Sequence, residues 1–96
     1  MIDAMIADAS HAIGLWHRKP YTRHGRKFYR PYRNYFAINP DDPTWVELER
    51  IGYAKHGEVR DHGHYQMTSF WLTRAGLDWL GEQLGMTIYD EEDDHA

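Results

Sequence analysis

The chain reads Leu72-Thr73-Arg74-Ala75-Gly76-Leu77-Asp78-Trp79-Leu80 at the point where an extended segment passes into a helix. Thr73 is a favoured N-cap residue, and the leucines after it recur at intervals of three and four residues. This pattern predicts a final helix over residues 74–84, which Gly85 ends by taking a left-handed conformation at little cost. The predicted buried stripe of this helix consists of Leu72, Gly76, Leu77, Leu80 and Leu84.

Upstream of this helix, the sequence predicts a β-hairpin and a shorter helix. Residues 53–60 and 65–72 have strand character on either side of the turn Asp61-His62-Gly63-His64. The alternation places Phe70 and Leu72 on one face of the second strand. Before the hairpin, Asp42 is predicted to be an N-cap and Pro43 the first residue of a helix that ends at Gly52.

The first third of the chain predicts one helix and a long connection. Apolar residues at helical spacing predict an amphipathic helix over residues 3–15. Residues 17–31 contain Pro20, Gly25 and Pro31 and show no helical period, so we expect a connection without regular structure. Residues 31–38 are rich in aromatic residues and form either a short strand or an irregular packed segment. The predicted fold class is α+β, in the order helix, long connection, helix, hairpin, helix.

Two resemblances accompany these patterns. Leu48-Glu49-Arg50-Ile51-Gly52-Tyr53 and the stretch from Leu72 to Leu80 resemble the second half of a MarR-like winged-helix domain. The resemblance implies a winged-helix-like fold whose hairpin is the wing, with Lys55, Arg60, His62 and His64 as its candidate contact residues. His11-Ala12-Ile13-Gly14-Leu15 and Pro31-Tyr32-Arg33-Asn34-Tyr35-Phe36 are similar to motifs of small phage and prophage proteins. That second resemblance implies a phage or prophage origin and a location in the cytoplasm of the host cell.

Charge is distributed very unevenly along the 96 residues. Residues 1–33 carry seven Lys or Arg and two Asp or Glu, whereas residues 34–96 carry four and thirteen, for a formal net charge of −4. We expect a single domain over residues 1–88, with a basic connection at 17–31. The run Asp90-Glu91-Glu92-Asp93-Asp94 predicts an acidic disordered tail over residues 89–96, because long runs of like charge seldom fold.

The basic connection is the predicted partner-binding segment, because it interleaves cations with aromatic rings in a way that suits phosphate or an acidic protein surface. Alternatively, the same segment folds back over the helices as a structural flap. Its candidate contact residues are Arg23, Arg26, Lys27, Tyr29, Arg30 and Arg33.

The helix before the predicted wing is acidic, with Asp41, Asp42, Glu47 and Glu49. Such a helix is poorly suited to lie in the major groove of DNA, where it would face phosphates. We therefore predict a small binding protein that acts by macromolecular contact, with a protein partner favoured over DNA. An anti-CRISPR-like inhibitor of a host defence complex is one concrete form. The alternative is a DNA-binding winged-helix transcriptional regulator that uses the basic segment and the wing.

The sequence predicts no catalytic site, cofactor or metal. Cysteine is absent, and no serine lies in a nucleophile elbow. The residues His56, Glu58, Asp61, His62 and His64 cluster around the hairpin turn but match no metal-binding signature, so we favour a polar hairpin tip over a metal site. Apolar runs are too short to span a membrane. We expect a monomer or a homodimer, since the first helix has an apolar stripe that is suited to pairing.

Overall fold

The computed structural model describes residues 2–15 and 18–89, and within them it contains three α-helices and seven short β-strands. The fold is therefore α+β, as predicted. The predicted tail from Asp90 onward lies outside the described residues. In chain order the elements are α1 (Ile2–Ala12), β1 (Tyr21–Arg23), β2 (Arg26–Tyr29), β3 (Phe36–Ile38), α2 (Pro43–Arg50), β4 (Ala54–His56), β5 (Arg60–Asp61), β6 (Gln66–Leu72), α3 (Arg74–Leu84) and β7 (Thr87–Ile88).

One sheet is built around β6, which pairs antiparallel with β3 on one side and β4 on the other. The short strand β5 also pairs with β6, which completes the predicted hairpin. Along β6, Thr68, Phe70 and Leu72 are buried while the residues between them are more exposed. The alternation in the sequence thus gave the correct inward face of this strand.

The ends of α2 and α3 follow their predicted signals. The Asp42 carboxylate accepts a hydrogen bond from the amide of Trp45 at 3.2 Å, and Pro43 is the first residue of α2. The Thr73 hydroxyl accepts from the amide of Gly76 at 3.1 Å and donates to the carbonyl of Gly52 at 2.8 Å. Thr73 therefore caps α3 and also fastens its start to the end of α2.

Residues 17–31 were predicted to lack regular structure, and that prediction is wrong over residues 21–29. These residues form the antiparallel hairpin β1–β2, in which Arg23 and Arg26 are paired around a two-residue turn. His24 and Gly25 both have positive φ, 53° and 76°, as a type I′ hairpin turn requires. The two prolines lie just outside the strands, so they interrupt no pairing within the hairpin.

A second sheet is completed by β7, which pairs parallel with β2 and gives the strand order β1–β2–β7. The core lies between this sheet, the β6 sheet and the three helices. Trp45 is fully buried, with its ring centroid 5.3 Å from that of Phe36 and 5.4 Å from that of Phe70. Leu80 from α3 and Ile88 from β7 are buried in the same cluster.

The segment between β2 and β3 is held by hydrogen bonds to the ends of β6 and α1. The Asn34 amide group donates to the carbonyl of Leu72 and accepts from its N–H, both at 2.9 Å. The backbone amide of Tyr35 donates to the carbonyl of Ala12 at 3.1 Å. These bonds join the end of β6 to the end of α1 and set the direction in which β3 begins. No helix in the described part of the chain is long and apolar enough to cross a membrane.

Candidate functional site: the arginine–aromatic face

The β1–β2–β7 sheet has one buried face and one exposed face, because successive side chains of a strand point to opposite sides. On the buried face, Tyr29 and Ile88 are almost completely inaccessible to solvent. The opposite face carries cations and aromatic rings from the same three strands and the residues that follow β2 and β7. We call this surface the arginine–aromatic face, and it consists of Tyr21, Arg23, Arg26, Phe28, Arg30 and Tyr89.

The three rings of the face stand in a row. The Tyr21 and Phe28 centroids are 5.7 Å apart with the ring planes at 24°, and the Phe28 and Tyr89 centroids are 5.9 Å apart at 11°. At the end of the row, the guanidinium carbon of Arg30 lies 4.9 Å from the centroid of Tyr89. Neighbouring rings and the guanidinium therefore cover much of the ring faces, whereas Tyr21, on the edge strand, remains 42% exposed.

The cations of the face repel one another. Arg23 and Arg26 are direct cross-strand partners, and both are exposed. Like charges directly opposite each other across a pair of strands are destabilising. Lys27 points to the other side of the sheet by alternation. Beside the β1–β2 turn, Arg26 and Lys27 line a groove together with Asp78 and Glu82 of α3.

Further positive charge lies at one end of the β1–β2–β7 sheet. The Arg18 guanidinium donates to the carbonyl of Arg30 at 2.8 Å, which holds the start of the basic segment beside the end of β2. At the same end, the amide of Tyr89 donates to the carbonyl of Tyr29 at 3.0 Å and continues the parallel pairing of β2 and β7. The chain thus leaves β7 at the end of the sheet where Arg18 and Arg30 lie.

The structure brings together three of the six predicted contact residues, namely Arg23, Arg26 and Arg30. The prediction of Tyr29 as a surface contact is wrong, because its side chain is 0% exposed and its hydroxyl donates to the carbonyl of Ile13 at 2.9 Å. Burial also raises the pKa of the Tyr29 phenol above its ordinary value of 10.0, which favours the protonated form that donates this hydrogen bond.

Arg33 lies apart from the face. Its guanidinium donates to the carbonyl of His11 at 2.7 Å and lies 5.7 Å from the ring centroids of both Tyr32 and Tyr35. Arg33 therefore fastens the segment after β2 to α1. Tyr21 and Phe28 are among the rings that the sequence interleaves with the cations of the predicted partner-binding segment, whereas Tyr89 was not a candidate.

The predicted wing residues Lys55, Arg60, His62 and His64 are all exposed. The His62 ring stacks on Tyr65 with the centroids 5.0 Å apart. In residues 2–15 and 18–89, no group of three or more histidine and carboxylate side chains is arranged to hold a metal ion.

The carboxylates of α2 have basic neighbours of their own. Arg50 forms a salt bridge with Glu47, and its hydrogen bond lowers the pKa of that carboxyl group. The Glu49 carboxylate accepts a hydrogen bond from His56 Nδ1 at 2.6 Å, which connects α2 to β4. This surface is therefore internally compensated, whereas the arginine–aromatic face concentrates one sign of charge.

Comparisons of the chain with family models, with curated proteins and with solved structures give no match.

Proposed function

We propose that this chain is a small binding module that engages an acidic protein surface through the arginine–aromatic face. The observation that carries the proposal is the row of three stacked rings flanked by exposed arginines. Arginine and tyrosine are enriched at the energetic centres of protein interfaces, where a rigid ring supplies contact area and a guanidinium forks onto a carboxylate. An acidic partner would also relieve the repulsion between Arg23 and Arg26.

The geometry of the rings favours a protein over single-stranded nucleic acid. Proteins that bind single strands offer open ring faces on which bases stack. Here Phe28 lies between two other rings, and Arg30 lies over Tyr89. The ring edges and the guanidinium groups are therefore the parts of this row that are best placed to meet a partner.

A DNA-binding regulator is the second candidate, and the β6 sheet favours it. A reduced winged helix would use α1, β3, α2, β4 and β6, with β3, β6 and β4 as its small sheet and the β4–β6 hairpin as its wing. This hairpin exposes Lys55 and Arg60. In this arrangement α2 would be the recognition helix, and its Glu47 and Glu49 would face the phosphates, which weakens the DNA proposal.

The similarity of two motifs to phage and prophage proteins suggests a setting for the protein-binding function. The partner would then belong to the host cell, and inhibition of a defence complex in the manner of an anti-CRISPR protein is the concrete case. The face described above sets the chemistry of the contact, namely a carboxylate-rich surface with some apolar area.

A pair of matched charge reversals tests the proposal. The first variant, Arg23→Glu with Arg26→Glu, reverses two cations of the face and leaves the ring row intact. The control, Lys55→Glu with Arg60→Glu, makes the same change of net charge on the wing. Each protein is titrated with a labelled peptide, Glu-Glu-Leu-Glu-Glu-Leu-Glu-Glu, and with a short DNA duplex of arbitrary sequence, at low and moderate salt.

We expect the face variant to bind the peptide at least about tenfold more weakly than the parent, which corresponds to about 1.4 kcal/mol, and the wing control to stay within about twofold of it. Equal loss in both variants would reduce the effect to net charge and contradict the proposed site. A different result would support the regulator instead: the parent binds the duplex more tightly than the peptide, the affinity for the duplex falls steeply with salt, and the Lys55→Glu, Arg60→Glu control no longer binds the duplex in this way.

A further inference from the structure

We propose that the outer edge of β3 (Phe36–Ile38) binds a second copy of this chain, which adds its own β3 in antiparallel orientation about a two-fold axis at Ala37. This edge belongs to the β6 sheet, so its use is independent of the arginine–aromatic face. The direction of the backbone groups fixes the register of the contact, and the side chains on either side of Ala37 are complementary in that register.

The backbone groups of Ala37 point away from β6. The carbonyl of Ser69 accepts from the amide of Gly57 at 3.0 Å, so the backbone groups of Ser69 face the β4 side of β6. Those of Leu72 face the other side, where they bond to the Asn34 side chain. Ala37 lies opposite Ser69 in the antiparallel register, and the two therefore form a non-hydrogen-bonded pair. The N–H and C=O of Ala37, an exposed residue, consequently face the open edge.

The hydrogen bonds next to Ala37 select one two-fold register. By the period of two, the backbone groups of Tyr35 and Asn39 also face this edge. The Tyr35 amide already donates to the carbonyl of Ala12 at 3.1 Å, and the Asn39 carbonyl already accepts from the amide of Asp42 at 3.0 Å. Ala37 is thus the residue of the three that offers both a donor and an acceptor. A second copy meets both when its own Ala37 lies directly opposite.

Apolar side chains match in this register. Phe36 lies opposite Ile38 of the partner subunit, and the symmetry repeats this pair on the other side of the axis. Phe36 and Ile38 are both half-buried within one chain, so each has apolar area that the second copy can cover. At Ala37 itself, the small side chain leaves room for the two backbones to approach.

Charges match in the same register. Arg33 precedes β3, where its guanidinium is held by the His11 carbonyl at 2.7 Å and lines a groove of about 160 Å³ beside the strand. The exposed Asp41 follows β3, at the same number of residues from Ala37. An antiparallel copy therefore brings Asp41 of the partner subunit level with Arg33, and opposite charges facing each other across strands are stabilising. A parallel copy would place each charge beside its like.

The edge of β3 also lacks the features that keep other strand edges from pairing. Charged side chains, proline and covering groups protect exposed edges in monomeric proteins. Here β1 follows Pro20, β4 contains Lys55, β5 contains Arg60, and the Ile88 carbonyl of β7 accepts from Arg74. The sequence of β3 is Phe-Ala-Ile, with neither a charge nor a proline.

The first helix is not free to make this contact. Its apolar stripe was the pairing surface expected from the sequence, but Met5, Ala9 and Ala12 are buried in the core of the chain. The edge of β3 therefore replaces α1 as the contact of a homodimer. Such a dimer would carry two arginine–aromatic faces, which favours binding to a partner with repeated acidic sites.

Two matched pairs of variants test the edge. Ala37→Pro removes the outward N–H and no bond of the sheet, since proline is tolerated where the N–H of an edge strand faces solvent. Thr22→Pro makes the same change at the outer edge of β1. Asp41→Lys reverses the charge opposite Arg33, and Glu82→Lys makes an equal change of charge at an exposed position of α3. Thermal melting establishes which variants fold.

Sedimentation equilibrium is measured from about 10 μM to about 1 mM, because so short an edge supports only a weak dimer. We expect the mass of the parent to rise from one chain towards two over this range, and Ala37→Pro to remain at one chain. Asp41→Lys should weaken dimerisation at least about fivefold, whereas Thr22→Pro and Glu82→Lys should stay within about twofold of the parent.

Amide hydrogen exchange in the parent locates the contact. The Ala37 amide faces solvent in one chain and is hydrogen-bonded in the dimer, so its exchange should slow by about twofold or more between the lowest and highest concentrations. The outward amide of Thr22 should exchange at the same rate throughout.

Three results would overturn the proposal. The first is a parent that keeps the mass of one chain up to about 1 mM. The second is a dimer in which the exchange of the Ala37 amide does not change with concentration, or which a folded Ala37→Pro variant still forms. The third is equal weakening by Asp41→Lys and Glu82→Lys, a comparison that decides the matter even if Ala37→Pro does not fold.

Discussion

Replacement of Gly76 by alanine tests the packing on which the C-terminal half of the domain depends. Gly76 lies in the first turn of α3, against the backbone at the junction of α2 and β4. A Cβ at this position would lie 2.0 Å from the carbonyl oxygen of Tyr53 and 2.9 Å from its carbonyl carbon. That carbonyl accepts a hydrogen bond from the amide of Thr73 at 3.1 Å, so it cannot turn away without losing the bond.

Two effects of opposite sign decide the result of Gly76→Ala. Helix propensity favours alanine over glycine by about 1 kcal/mol. Overpacking against rigid backbone costs about 1–3 kcal/mol, and the loss of the Thr73–Tyr53 hydrogen bond costs about 1 kcal/mol more. The net expectation is a destabilisation of about 1–3 kcal/mol, which lowers the melting temperature of a domain of this size by at least about 4 °C.

Thermal unfolding followed by circular dichroism measures the effect, and urea unfolding gives the free energy. Ala75→Gly is the control, because Ala75 is an exposed neighbour in the same turn and its replacement changes propensity alone. The control is expected to lose about 0.5–1 kcal/mol. A Gly76→Ala variant that melts at or above the parent temperature would refute the close approach of α3 to the Tyr53 backbone.

Three further changes probe the core and its charges. Burial, and then the charge of Asp42, raise the pKa of the Asp8 carboxyl group, so the native state binds this proton more tightly than the unfolded state does. The resulting destabilisation is absent below the unfolded pKa and is complete above the native pKa. Denaturant titrations should therefore show Asp8→Asn to be stabilising at pH 7, by about 0.5 kcal/mol at most because both carboxylates are only partly buried, and nearly neutral at pH 3. A larger gain at pH 3 would contradict the sign. Tyr29→Phe should cost about 1–2 kcal/mol in urea unfolding, because the Ile13 carbonyl loses its buried donor; an unchanged midpoint would show that this bond is dispensable. Leu80→Ala should cost about 2–5 kcal/mol, and a melting temperature equal to the parent's would contradict its place in the core.

Much of the structure from α2 to α3 was predicted correctly, because it depends on interactions between residues that are close together in the sequence. Asp42 with Pro43, and Thr73, each specify a helix start through a hydrogen bond that spans only a few residues. The alternation in residues 66–72 depends on one strand alone. Such features can be inferred from sequence because the interacting groups are neighbours in the chain.

The candidate site depended on contacts that the local sequence does not specify. The β1–β2 hairpin was missed because His24, a residue other than glycine, takes one of the two positive-φ positions of its turn. The pairing of β2 with β7 joins residues about sixty positions apart, and it carries Tyr89 into the ring row. The same pairing buries Tyr29, since only one side of β2 can face solvent once the sheet lies on the helices.

The most direct test of the arginine–aromatic face is a map of backbone amide shifts in isotope-labelled protein titrated with the peptide Glu-Glu-Leu-Glu-Glu-Leu-Glu-Glu. We expect the largest shifts over residues 21–30 and 87–89, while α2 and the hairpin tip around His62 stay nearly unchanged. Largest shifts in α2 or in this hairpin, or no saturable shifts in residues 21–30, would contradict the claim that this face is the binding surface.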